Sequence, residues 1–272
     1  MGVRVSRDRE GLREPMKIIP IANNTFRECV RDKVLYNLVI FGVLLITSSL
    51  LLASITIGDV KQIIINLGLS TLSVFGTLIA IFIGIQLVYK EIDKKTIYSL
   101  LAKPVARYEF ILGKYFGLTL TLIVNVSVML LGIYASILYL RHSFEATDLQ
   151  ILWAGILILV QLMLVIAIAL FFSTFSTPAF SALFAFCLYV IGHFSSDIRQ
   201  YGVSSHSLPA KVVAGLLYYL LPNFENFSVI AQTANGQFLS SGAFLLSLFY
   251  GLIYSTGLVL LAILVFQRRN FK

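Results

Sequence analysis

The stretch ILWAGILILVQLMLVIAIALFF, Ile151 to Phe172, carries no charge and a single amide, Gln161. A helix needs about 20 apolar residues to cross the ~30 Å hydrocarbon core of a bilayer, and this run has that length. In lipid it has to be helical, because hydrocarbon offers backbone groups no hydrogen-bond partner. Runs of the same kind lie outward from it, at Val34 to Ile57, Ile63 to Tyr89 and Tyr115 to Leu140 before it and Ala243 to Phe266 after it. A shorter run, Pro178 to Gly192, follows directly. With 58% hydrophobic and 12% charged residues among 272, the chain does not have the composition of a soluble domain. The expected fold is an all-α integral membrane protein of six transmembrane helices.

Charge orients these spans, since Lys and Arg close to span ends are retained on the cytoplasmic side. Basic residues cluster before the first span, between the second and third, and after the last, which places 17 of the 21 on one face. Only Lys61, Arg141, Arg199 and Lys211 fall opposite. Both termini are therefore expected in the cytoplasm, which requires an even number of spans. The same charges hug span ends and lack interleaved stacking aromatics, so anionic headgroups account for them and nucleic acid does not.

Between the spans lie segments of distinct character. Residues 1–16 read as a disordered extension, with Met16 offering a second start, and residues 17–272 as a single transmembrane domain. Within residues 17–33, Ile18, Ala22, Phe26, Cys29 and Val30 recur at helical spacing opposite Asn23, Asn24, Arg27 and Arg31. This pattern predicts an amphipathic helix on the inner leaflet. Residues 90–114, KEIDKKTIYSLLAKPVARYEFILGK, read as two short helices broken at Pro104, which biases the residue before it away from helical angles. They present apolar residues on a charged background, as a helix docking in a partner's groove does. The external region, residues 193–242, contains the run Ala210 to Leu221, too short to span and expected as a re-entrant or interfacial helix ended by Pro222. PNFENF, Pro222 to Phe227, suits the outer headgroup layer.

Several chemistries are excluded. No glycine-rich Walker A loop is present, and Gly113-Lys114 is followed by Tyr115 and lacks the upstream glycine, so an ATPase acting alone does not fit. Every Asp and Glu lies outside the six runs, which argues against an ion-coupled carrier. His193, Asp197 and His206 have no zinc spacing, and Cys29 and Cys187 form no disulfide or metal framework. The spans do contain uncharged polarity. Asn66, Ser70, Ser73, Thr77 and Gly84 share one stripe of the second span, and Thr121, Asn125, Gly132 and Ser136 nearly do so in the third. Such stripes either let helices approach closely or line a pathway.

The segment between the second and third spans resembles that of the ATP-binding-cassette (ABC) type-2 permease family, the membrane subunits of bacterial exporters. Glu91, Thr96, Leu100, Leu101, Pro104, Val105, Arg107, Glu109, Gly113 and Lys114 fit its pattern in order. The amphipathic lead-in, PNFENF and the terminal FQRRNF are similar as well, so the resemblance covers nearly the whole chain. It departs where the family commonly has Ser and this chain has Ala106, which leaves Glu109 half of a capping box. The resemblance implies a permease subunit of an ATP-driven exporter in the cell inner membrane, without catalysis of its own. It implies a dimer with a second permease subunit, identical or not, and two copies of an ABC ATPase that hold the ATP and Mg. Coupling through Glu91 to Lys114, a path along Asn66, Ser70, Ser73 and Thr77, and an external gate at Pro222, Asn223, Phe224 and Phe227 follow from it. A membrane anchor or scaffold that binds a soluble partner through the same segment but moves nothing is the alternative.

Overall fold

The structure is a computed structural model and describes residues 18–55, 59–93, 106–141, 148–204 and 207–268. Among these residues every regular element is helical: α1 (Ile18–Val30), α2 (Lys33–Ile55), α3 (Val60–Asp93), α4 (Arg107–Arg141), α5 (Leu149–Ser173), α6 (Pro178–His193), α7 (Ser195–Ser204), α8 (Leu208–Leu220), a 3-10 turn (Glu225–Phe227), α9 (Ile230–Ala234) and α10 (Ser241–Arg268). Five helices, α2, α3, α4, α5 and α10, are long and apolar enough to cross a bilayer. The bent pair α6 and α7 supplies a sixth if it counts as one span. The short fifth run expected from sequence thus ends at His193, and the chain turns by 56° at Phe194 into α7.

Local sequence sets the helix starts. Asp32 Oδ1 accepts the Val34 amide at 2.9 Å and Asp59 Oδ1 accepts the Lys61 amide at 3.0 Å, each satisfying a free donor in a first turn. Pro178 opens α6, where its missing N–H costs nothing. Hydroxyls inside the spans turn back on their own helix: Thr47 to Val43, Ser49 to Ile46, Thr121 to Gly117 and Ser136 to Gly132 carbonyls. These internal bonds let polar residues sit in apolar helices without an outside partner.

The Ile151 to Phe172 run forms the axis of the bundle. In its α5 helix 72% of the apolar window is buried, against 22% in α2 and 28% in α10, so α5 is central and those two are peripheral. It packs against α3, α4, α6 and α10. At the end where α3 and α5 begin, Lys61 Nζ and Asp148 Oδ1 pair at 2.7 Å, and the Tyr134 hydroxyl donates to the Asp148 carbonyl at 2.8 Å. This is the outer end in the charge-based orientation; the opposite end, where α2, α4 and α6 begin, carries Arg27, Arg31, Lys33, Arg107, Lys114 and Arg268 among the described residues. With 34 and 35 residues, α3 and α4 are each about 50 Å long at ~1.5 Å per residue, well beyond the ~30 Å hydrocarbon core.

Candidate functional site

Two constellations stand at opposite ends of the bundle. At the basic end, the exit of the charged segment is tied into three helices. Thr96, Leu100, Leu101, Pro104 and Val105 lie outside the described residues, as do residues 1–16; Glu91 belongs to the last turn of α3. From Ala106 onward the geometry is explicit. Glu109 Oε2 accepts the Ala106 amide at 3.1 Å, and the Glu109 amide donates to the Ala106 carbonyl at 3.0 Å. The carboxylate half of a capping box is therefore formed, and Ala106 supplies no hydroxyl for the other half. Arg107 Nη1 donates to the Gln267 carbonyl at 2.7 Å and to that of Phe266 at 3.5 Å, placing a cation on the carbonyl end of α10. Phe110 stacks on Phe266 with centroids 5.7 Å apart and planes at 17°.

Gly113 and Lys114 are buried beneath α1. Of the apolar face expected for α1, Cys29 is fully buried and Ile18, Ala22, Phe26 and Val30 are half-buried, while Thr25, outside that pattern, is fully buried as well. A methyl group on Gly113 would lie 2.5 Å from Ile21 Cγ2, and one on Gly117 would lie 2.6 Å from both the Ala22 carbonyl oxygen and Thr25 Cβ. One turn further on, Cys29 lies beside Thr121, whose hydroxyl donates to the Gly117 carbonyl. Helix α1 therefore runs beside the start of α4 and in the same direction. Lys114, 1% exposed, lies between them with Nζ 3.8 Å from Glu28 Oε2 and 5.8 Å from the Phe110 ring centre. Burial pushes the Cys29 thiol up to about 11, against a smaller opposing pull from Thr121 and Lys114. Asn24, Arg27, Glu28, Arg31 and Asp32 line a concavity of about 530 Å³.

At the outer end the PNFENF residues are packed inside. Pro222, Asn223, Phe224 and Phe227 are all buried. The Phe224 ring stacks on His193 at 5.5 Å and 14°, lies 5.2 Å from Tyr189 and 6.5 Å from Phe227. Its amide donates to the Gly192 carbonyl at 3.0 Å, an approach that a side chain at position 192 would block. The Asn223 amide donates to the Tyr250 hydroxyl at 2.8 Å, and Asn223 Oδ1 accepts the Glu225 amide at 3.0 Å. Tyr254 donates to the Leu220 carbonyl at 2.6 Å. The cluster thus fastens α6, the end of α8 and α10 to one another.

The polar stripe of α3 divides. Asn66 is half-buried and Ser70 exposed, while Ser73 and Thr77 are buried. Gln161 Nε2 donates to Ser73 Oγ at 3.5 Å and to the Tyr189 hydroxyl at 3.4 Å, which links α3 through the axial helix to the residue beneath Phe224. Sequence reasoning passed over Gln161, Gly117, Gly192, Tyr250 and Tyr254. Gly117 had a readable signal, since Gly113 and Gly117 form a G-x-x-x-G pair in an apolar helix. Among the described residues no group of His, Cys, Asp and Glu is arranged to hold a metal.

A family model described as ABC-2 family transporter protein matches residues 19–271, from the second residue of α1 to the end of the chain but one. No curated protein matches the chain.

Proposed function

The chain belongs to the ABC-2 family of transporter proteins and is a membrane component of an ABC transporter, and we propose that it is the permease subunit of an ATP-driven exporter. In this reading a separate ATPase, present in two copies with its own ATP and Mg, presses on residues 90–114 from the cytoplasm. Two permease subunits enclose the path at their seam, and both termini lie in the cytoplasm of a bacterial inner membrane. The observation that carries the reading is the joint at the exit of that segment. Within eight residues the chain grips the carbonyl end of α10 through Arg107 and seats α1 at Gly113 and Lys114. A push delivered there reaches a peripheral span and the N-terminal helix together, as a subunit driven by contact requires.

The external aromatic cluster fits an outer closure that the push must open. Of the stripe on α3, exposed Ser70 and half-buried Asn66 fit the lining of a path, whereas Ser73 accepts a bond from Gln161 of α5 and Thr77 is buried.

Purification of the tagged chain from native membranes tests the reading. A protein bearing a Walker A loop should co-purify, and Leu100→Asp with Leu101→Asp should release it while the permease stays monodisperse. An intact complex after that change would sink the docking assignment. ATP turnover that no candidate compound alters, with no movement of any compound in everted vesicles, would leave the anchor reading instead.

A further inference from the structure

The seam between α1 and the start of α4 runs toward the bilayer. Ile21 abuts Gly113, Thr25 abuts Gly117, and Cys29 lies beside Thr121. The contacts of α2 fix where the bilayer begins along that seam. Gly42 abuts Met129 and Gly132 lies against Ile46, so α2 also runs in the direction of α4. Lys33, nine residues before Gly42, therefore stands level with about residue 120 of α4. Since α2 crosses the bilayer from Lys33, residues 107–119 of α4, about 20 Å at ~1.5 Å per residue, extend beyond the inner face of the core. Helix α1 stands alongside that extension with its last turn at the membrane surface. Arg31 lies two residues before the span, and Arg27 lies about one turn, ~6 Å, further from it. The headgroup layer on each side of the core is roughly 5–8 Å deep, so both guanidinium groups sit at the depth of lipid phosphates.

That depth coincides with the concavity of about 530 Å³ lined by Asn24, Arg27, Glu28, Arg31 and Asp32. Residues 24, 27, 28 and 31 recur at steps of three and four and so share one helix face. The charges on this face are not equivalent. Glu28 Oε2 is turned toward Lys114 Nζ at 3.8 Å, and Asp32 Oδ1 accepts the Val34 amide at 2.9 Å. Arg27 and Arg31 are exposed, and among the described residues neither makes an ion pair. Two such guanidinium groups in one concavity present forks of N–H donors that match phosphate oxygens bidentately. The cytoplasmic leaflet supplies phosphates at this depth, and its negative surface potential reflects the anionic lipids that carry them.

We infer that the concavity at the end of α1 is a binding site for the phosphate headgroup of an anionic inner-leaflet lipid, held by Arg27 and Arg31. The recognition chemistry is that of any phosphate ester, and the depth of the two arginines assigns it to a lipid. The inference uses the charge-based orientation of the spans and not the transport reading.

Thiol labelling of the full-length chain in nanodiscs tests it, in a Cys187→Ser background where buried Cys29 reacts slowly. The reagent is N-ethylmaleimide, which is neutral and so is not itself repelled by an anionic surface. Asn24→Cys reports from the lining, and exposed Asn23→Cys, next to it on the same helix, reports from outside it. Replacing part of the phosphatidylcholine by phosphatidylglycerol should slow labelling at position 24 at least several-fold and leave position 23 nearly unchanged. Arg27→Gln with Arg31→Gln should abolish that protection; both side chains are exposed, so the fold should tolerate the change. If the double variant does not fold, Arg31→Gln alone is read by the same rule. Equal slowing at positions 23 and 24, or protection that survives the loss of the arginines, overturns the inference. If glycerol phosphate in solution protects position 24 in phosphatidylcholine discs as well as the lipid does, the site takes a soluble phosphate ester and the lipid assignment is overturned. The assay needs neither ATP nor a substrate, so its failure is separable from failure of the exporter assignment, which the co-purification above tests.

Discussion

Replacing Phe224 by Ala removes a ring that is fully buried and in contact with His193, Tyr189 and Phe227, yet leaves its backbone bond to Gly192 intact. The perturbation is thus one of packing alone. Truncating a buried Phe to Ala costs about 3–5 kcal/mol, made up of lost transfer energy and the cavity left behind. For chains of this size each kcal/mol lowers the melting temperature by about 2–4 °C, so a drop on the order of 10 °C is expected in detergent or nanodiscs. Phe224→Leu keeps most of the volume and should cost under about 1.5 kcal/mol. Phe238, 77% exposed in the same external region, provides the control, and its change to Ala should stay within about 0.5 kcal/mol. Thermal unfolding of the three variants, with labelling from outside at an introduced Tyr189→Cys, separates two fates of the lost energy. A closure that opens adds faster labelling to the drop in melting, and a structural clamp gives the drop with labelling unchanged. A Phe224→Ala protein with native melting and native labelling would refute the packing described.

At the other end, Ala106→Ser should complete the capping box by offering a hydroxyl to the Glu109 amide, stabilising the start of α4 by about 1 kcal/mol and raising the melting temperature by a few degrees. Cys29 should alkylate far more slowly than a free thiol at neutral pH. Its thiolate fraction, and with it the labelling rate, should rise about tenfold per pH unit until the pH nears 11, provided the fold persists; a plateau by pH 9 would contradict the burial of the seam. Lys61→Met should lower stability by about 3–5 kcal/mol, since it strips a buried carboxylate of the cation 2.7 Å away, and a change below 1 kcal/mol in thermal unfolding would show that Asp148 is held by other means.

The spans were legible because their physics is one-dimensional: an uncharged run of sufficient length has to be a helix in lipid. Length alone also fails in an instructive place. The run after Pro178 looked like a short span followed by loop, and the structure continues it as α7 after a 56° bend that no composition signal marks. The face of α1 was readable from its period, but what covers it was not. Lipid and a glycine-lined helix satisfy the same amphipathic pattern, and only the pairing of Gly113 and Gly117 in a helix remote in sequence distinguishes them. Glu109 shows the opposite case, where one residue type at one spacing predicted a bond that the structure contains. The external aromatics were read as suited to headgroups, and their burial depends on Gly192, Tyr250 and Tyr254, partners 27 to 34 residues away in either direction.

The length of α6 has a consequence for the surrounding bilayer. Its 16 residues reach about 24 Å, several ångströms short of the ~30 Å core that the neighbouring helices exceed, and the chain then turns aside. The shortfall is met by the bent α7, by flanking side chains or by thinning of the adjoining lipid, each at a cost that grows with acyl-chain length. Membrane thickness therefore acts on this protein most directly at the α6 face.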